Sequence, residues 1–373
     1  MILNLEIVSM YCLDYNLEED SVILVLIMKK LSYLIIFLCM SSAYSSEYEF
    51  GGYQCIDKHL DNRDCSNGVT YRKWNEAYDR WKDHLKPKTF EQYDKEKFQF
   101  IVLHYTAGTS LKSAIDTYNE RGVSAHFAIN TDGIRYITVD PKKYISFHAG
   151  SSYFAGKTSL NFWSIGIEHV NPGFREEYKK YDGFLEPIQL NGSKCYWYPF
   201  SEEQFQSSVT LTRELQESYK IPGWNVVTHA DIAPSRKIDI GPMWDYKRSF
   251  EEFGVGYYPS EGHNINLTSF DSIEDNDYIK FLTFLGYENC SRVSDLIRTY
   301  KFHYSTSDVS RVNILGVLTS DTKEDILNHI ISLYDYIDPI TGTKYDYFMG
   351  KFKEWAFENQ DKSSAFSEFI SLN

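Results

Sequence analysis

The sequence predicts an α/β fold: one mixed β-sheet flanked by helices, followed by a small three-helix domain. Three observations carry this. Short apolar, β-branched runs alternate with helical stretches between residues 98 and 228, the pattern of strands and helices sharing one core. Thr131-Asp132-Gly133 sits between two such runs as a hairpin signal. Beyond residue 277 the strand-like runs give way to short amphipathic helical patterns.

Taken in order, residues 98–105 (FQFIVLHY) read as a buried strand. A helix-like stretch follows at 110–119, then two strands, 124–130 and 134–139, around the turn. Residues 164–168 (SIGIE) form another short strand. Ser201-Glu-Glu-Gln204 has the capping-box pattern and opens a long helix to about Tyr219, which Pro222 and Gly223 end. Residues 225–228 are one more strand, running into His229. The stretch 171–199 has no clear period and is aromatic (Phe174, Tyr178, Tyr181, Phe184, Tyr196, Trp197). A long loop of this kind is expected to wall a binding groove or to be a surface insertion. Residues 251–277 read as a linker, and helices are expected at 278–285, 294–302 and 320–334, the last with Ile326, Leu327, Ile330, Ile331 and Tyr334 on one face. Residues 336–373 are left as a tail.

Of the 373 residues, 43% are hydrophobic and 24% charged, the balance of a folded chain rather than a disordered one. The net charge of -14 leaves no electrostatic footprint for nonspecific nucleic-acid binding. The N-terminus reads as a leader. Lys29-Lys30, an apolar run from Leu31 to Met40, and small residues at Ala43 and Ser45 give the three parts of a secretory signal. The expectation is therefore a signal peptide at 28–45, a mature chain from about Ser46 with an N-terminal segment at 46–95, and an over-extended start at 1–27. The protein would be periplasmic or secreted, with no stable membrane span after cleavage. Cys55, Cys65, Cys195 and Cys290 remain after the leader, with no Cys-x-x-Cys pair to suggest a thiolate zinc site. Their pairing and the oligomeric state stay open.

His104 and His229 each end an expected strand, and Asp239 follows ten residues after His229. Two imidazoles and a carboxylate with an open fourth position make a catalytic zinc site. Taken alone, a strand-end histidine is more often a packed residue than a ligand. The surrounding motifs decide: IVLHYTAG at 101–108, SAHF at 124–127, HAGSS at 148–152, LNFWSIGIE at 160–168 and VVTHADIAPSRKIDIGPMWDY at 226–246.

In order and spacing these five motifs resemble the N-acetylmuramoyl-L-alanine amidases of the AmpD and AmiD type, the amidase_2 family, over about residues 96–250. The resemblance implies a zinc-dependent amidase acting on peptidoglycan or muropeptides. By it, His104, His229 and Asp239 are the zinc ligands, Glu168 the catalytic acid and Lys237 the catalytic lysine. His126, His148, Asn161 and Arg236 become candidates for substrate binding. Two positions depart from the family pattern: Ile240 stands where proline is usual after the third ligand, and Thr228 where glycine often precedes the second. Asn130 and Ser159 stand near the motifs where cytoplasmic members carry peptide-reading arginines, so no stem-peptide specificity is implied. The region from about 275 to 334 resembles the three-helix peptidoglycan-binding module of AmiD-like enzymes. A helical domain that only packs on the catalytic one is the alternative. A non-catalytic muropeptide-binding protein and a secreted antibacterial amidase toxin are the other functional readings.

Overall fold

The sheet grows from a buried interior strand, because only a run apolar on both faces can lie under helices on either side. That strand, Phe100–Tyr105, is buried along almost its whole length. The computed structural model describes residues 53–56, 62–63, 98–141, 145–175, 188–190, 193–260, 265–289, 292–305 and 316–371. The expected leader, Tyr178, Tyr181, Phe184, Cys65 and Cys290 lie outside these residues.

The elements run β1 Tyr53–Ile56, β2 Asn62–Arg63, β3 Phe100–Tyr105, α1 Leu111–Arg121, β4 Phe127–Ile129, β5 Arg135–Ile137, β6 Tyr153–Phe154, β7 Lys157–Thr158 and β8 Ser164–His169. There follow β9 Phe174–Arg175, β10 Ile188–Leu190, β11 Ser193–Trp197, α2 Glu202–Tyr219, β12 Val226–Thr228, α3 His229–Ile232 and α4 Tyr246–Phe253. The main sheet has the order β12-β3-β8-β4-β5-β1-β2. Strands β12, β3, β8 and β4 run parallel, and β4 turns back antiparallel into β5 through the Thr131–Gly133 turn. The sheet is mixed, as the sequence predicts. Its far edge, β1 and β2, comes from the polar segment 46–95, where no strand was expected. The aperiodic stretch 171–199 supplies β9, β10 and β11, a separate three-stranded sheet.

Local signals set the helix ends. The Ser110 hydroxyl accepts from the Ser113 N–H, and Gly122 closes α1 in the left-handed region at φ 66°. The Ser201 hydroxyl accepts from the Gln204 N–H, and Glu202 and Glu203 lie in the first turn of α2, where the helix dipole favours them.

The C-terminal region carries α5 Asp275–Phe284, α6 Val293–Tyr304, α7 Ser320–Asp335 and α8 Asp346–Glu358. The last lies in the stretch that sequence reading left as a tail. These helices share one hydrophobic core with the sheet: Phe281, Leu282, Ile330 and Phe352 are buried together with Phe100, Val102, Val227 and Ile232. The linker-like stretch also enters this core through Phe270 and Ile273. Side chains alternate across a strand. In β8, His169 reaches Ser208 of α2 on one face, while Ser164, Gly166 and Glu168 belong to the other. No helix among the described residues is long and apolar enough to cross a membrane.

Candidate metal centre

The parallel strands β12, β3 and β8 are neighbours, so their carboxyl ends lie at one edge of the sheet, where α/β folds place their sites. His104 is the fifth residue of β3, Glu168 lies opposite it in β8, and His229 begins α3 directly after β12. The chain returns through the 233–238 loop to set Asp239 beside them. Ligand atoms of His104, His229 and Asp239 all lie within 4.8 Å of one another, and all three residues are buried. His104 Nδ1 is 2.9 Å from His229 Nδ1 and 3.3 Å from Asp239 Oδ2; His229 Nδ1 is 3.0 Å from the same oxygen.

Hydrogen bonds assign the ring protons. His229 Nε2–H donates to the Ala149 carbonyl at 3.2 Å. His104 Nε2–H donates to His148 Nδ1 at 2.9 Å. His148 Nε2–H passes on to Ser164 Oγ at 3.2 Å, and that hydroxyl donates to the Leu160 carbonyl. Both ligand histidines are then left with a bare Nδ1 lone pair, and the two face each other at 2.9 Å. Two lone pairs and a carboxylate at these distances repel unless a cation lies between them. The N,N,O donor set fits zinc with a fourth position open, and the outer partners are those that orient metal-bound imidazoles.

Electrostatics agrees with ligation. Burial, then the neighbouring His229, lowers His104 to about 4, so its free base prevails at neutral pH. Burial works to raise the Asp239 carboxyl, but the neighbouring His229 and His104 imidazoles outweigh it, and Asp239 lies well below the usual carboxylate range. Glu168 goes the other way. Burial, then the charge of Asp239, raises it to about 8, with Lys237 opposing. Its Oε2 is buried without a hydrogen-bond partner. A carboxyl so placed can hold and release a proton near neutral pH. Lys237 is half-buried and acts electrostatically on both His104 and Glu168.

The remaining candidates differ in burial: His126 and His148 are buried, Asn161 half-buried and Arg236 exposed. His126 is fully buried, and its Nδ1 accepts from the Gly166 N–H at 3.1 Å. Asn161 Oδ1 accepts from the His148 and Ala149 N–H groups at 2.9 and 2.7 Å. Arg236 Nη2 donates to the Ala149 and Ser151 carbonyls at 2.7 and 2.8 Å. Asn161 and Arg236 thus converge on the 148–152 loop, which supplies one partner to each of His104 and His229. Sequence reading missed Asp231, whose Oδ2 accepts from the Thr228 N–H while the Thr228 hydroxyl accepts from the Asp231 N–H. The signal was present as Thr228-x-x-Asp231, a capping box. It also missed His169, whose Nδ1–H donates to the His104 carbonyl at 2.7 Å.

Residues 94–242 match the family model described as N-acetylmuramoyl-L-alanine amidase. The chain is 32% identical over 169 residues to the N-acetylmuramoyl-L-alanine amidase AmiD of Escherichia coli, a match covering 44% of this chain and 55% of that protein. It is 33% identical over 128 residues to the 1,6-anhydro-N-acetylmuramyl-L-alanine amidase AmpD of Escherichia coli, covering 34% and 56%. The chain thus spans about half the length of these curated relatives. In fold it is similar to AmiD of E. coli, solved with the substrate anhydro-N-acetylmuramic acid-L-Ala-D-gamma-Glu-L-Lys: TM-score 0.53, 24% identity, 67% of this chain and 92% of that one. AMPDH3 of Pseudomonas aeruginosa gives TM-score 0.50 at 22% identity over 62% and 91%. At these identities the likeness of structure shows the fold.

Proposed function

We propose that this chain, whose residues 94–242 match the N-acetylmuramoyl-L-alanine amidase family model, hydrolyses the amide bond between N-acetylmuramic (or anhydro-muramic) acid and L-alanine in peptidoglycan or muropeptides, with zinc as its cofactor. The observation that carries the reading is the convergence of His104, His229 and Asp239, with Glu168 in register beside His104. The substrate class is supported by the muropeptide bound to AmiD in its solved structure. The leader pattern at 28–45 supports action in the periplasm or outside the cell.

An amide carbon is a poor electrophile and water a poor nucleophile. When bound, zinc supplies Lewis acidity to both, and His104, His229 and Asp239 hold it with one position open to substrate. Glu168 takes the proton from the attacking water and delivers it to the alanine nitrogen as the C–N bond breaks. Burial raises this carboxyl above the ordinary glutamate range, and a carboxyl with both protonation states within reach does both. Lys237 places a positive charge beside the oxygen on which negative charge develops; such a donor is worth about 2.7–4 kcal/mol of barrier.

The test is mass spectrometry of an anhydro-muropeptide before and after incubation with the purified chain. The reading predicts free L-alanyl peptide and free anhydro-muramic acid derivative, with the peptide's own bonds and the glycosidic bond intact. Binding without cleavage, or cleavage elsewhere, refutes it.

A further inference from the structure

We infer that Asp231, gripped by Tyr287 and His303 of the helical region, positions the metal-ligand segment, so that the C-terminal helices are a working part of the metal site rather than an appendage. This rests on the metal-centre reading above.

Asp231 follows His229 by two residues and is 1% exposed. Its Oδ2 accepts from the Thr228 N–H at 2.7 Å and the Thr228 hydroxyl at 2.8 Å. Those bonds suffice for a helix cap. Two more come from beyond the catalytic domain: the Tyr287 hydroxyl donates to Oδ1 at 2.9 Å, and His303 Nδ1–H donates to Oδ2 at 2.8 Å. The His303 ring lies 4.0 Å from that of Tyr304 and 4.3 Å from that of Tyr246, whose hydroxyl bonds the Gly241 carbonyl just past Asp239. Arg298, on the same helix α6, donates to the Pro234 carbonyl at 2.6 Å. The segment 228–241 is therefore held near its start and in its middle by α6 and the turn before it, and at its end by Tyr246, which packs on His303.

The second ligand-orienting loop ends at the same place. After supplying His148 and Ala149 to the ligand histidines, the chain forms the β6–β7 hairpin, and the Ala155 N–H donates to the Gly286 carbonyl at 2.8 Å. Gly286 and Tyr287 are adjacent. One fixes the loop that orients the histidines, the other the segment that carries His229. A fold-holding contact needs no such pairing; a ligand-positioning one does, because imidazole direction and ligand spacing must be set together.

The test uses the full chain with Tyr287→Phe and His303→Phe combined, which keeps both rings in the core and removes both donors. Trp355→Phe is the comparison variant; it removes a buried hydrogen bond to Asp277 in the same helical region and none of those to Asp231. Zinc affinity is read by chelator competition, ligand geometry by the visible absorption of the cobalt(II) form, and folding by thermal unfolding of the metal-free chains. The double variant is expected to lose about 10- to 100-fold in zinc affinity, the usual scale for outer-shell partners, and to show a shifted cobalt spectrum. Trp355→Phe keeps both while losing stability. Wild-type affinity and spectrum in the double variant overturn the inference and leave the metal centre standing. Equal loss in Trp355→Phe also overturns it, as an effect of folding alone. A wild-type chain that takes up no zinc refutes the metal centre and the inference with it.

Discussion

Gly166→Ala tests the ligand geometry through a single carbon. A Cβ at that position would lie 2.5 Å from Cγ of His148, 2.7 Å from Cδ2 and 2.8 Å from Nδ1. Carbon atoms in contact prefer about 3.5–4.0 Å, so the ring must retreat by about 1 Å. It is not free to do so. Its Nδ1 accepts from His104 at 2.9 Å, its Nε2 donates to Ser164 at 3.2 Å, and its backbone N–H is bound to Asn161. A retreat of that size carries the His104 bond past the useful range of about 3.2 Å. Overpacking costs about 1–3 kcal/mol, and a broken buried hydrogen bond about 1–3 kcal/mol more. The metal-free variant should therefore lose about 2–6 kcal/mol in urea unfolding, taking those two terms together. Because His148 orients His104, zinc affinity should also fall, by about tenfold or more. Chelator competition measures the second quantity on the same preparation. A Gly166→Ala chain with wild-type stability and wild-type affinity refutes the reasoning.

Other expectations follow from the same geometry. Glu168→Gln should retain zinc and lose at least about 100-fold in turnover, the lower scale of general acid–base catalysis; near wild-type turnover would assign the proton transfers to another group. In the metal-free protein Glu168 is raised from 4.5 to about 8 and His104 lowered from 6.5 to about 4. Below 6.5 the unfolded histidine binds a proton that the folded one does not, so His104 makes stability rise with pH. Between 4.5 and 8 the folded Glu168 holds a proton that the unfolded one lacks, so it makes stability fall. Above 6.5 the second effect stands without the first, and metal-free wild type should lose about 1.4 kcal/mol per pH unit up to about pH 8 relative to Glu168→Gln. Parallel stability curves for the two chains over pH 6.5–8 would contradict this. Deleting residues 265–373 should leave an aggregating or molten product rather than a zinc-binding domain, because Phe270, Phe281 and Phe352 share one core with Val102 and Val227; near-ultraviolet circular dichroism and metal content would show it.

The strands nearest the centre were legible because each follows a strong local rule. FQFIVLHY is too apolar and β-branched for anything but a buried strand, and SIGIE and the run into His229 are shorter cases. Thr131-Asp132-Gly133 announced its hairpin because Gly133 takes φ 79°. The convergence of His104, His229 and Asp239 was legible only through motif order, since nothing in a sequence says that residues 125 positions apart meet. The edge strands β1 and β2 were not legible: they lie in a polar segment whose pairing with β5 is decided by tertiary contact. The stretch 251–277 looked like a linker because its composition is polar, yet Phe270 and Ile273 are enough to anchor it in the core. Arg236 and Asn161 stand as candidates for substrate binding. Their partners are backbone groups of the 148–152 loop, a distinction that sequence does not carry. Asp231 was hidden by its neighbour His229, and its four hydrogen bonds come from three separate stretches of chain.

The central claim is that one metal ion held by His104, His229 and Asp239 makes this chain an amidase. Its most direct test is to strip the purified chain with a chelator, return zinc in substoichiometric steps, and follow release of L-alanyl peptide from an anhydro-muropeptide at each step. The account predicts no release from the stripped chain, a linear rise, and a plateau at about one zinc per chain, with no rise when His104 is replaced by alanine. Full release from the stripped chain, or a plateau reached equally well by His104→Ala, would contradict it.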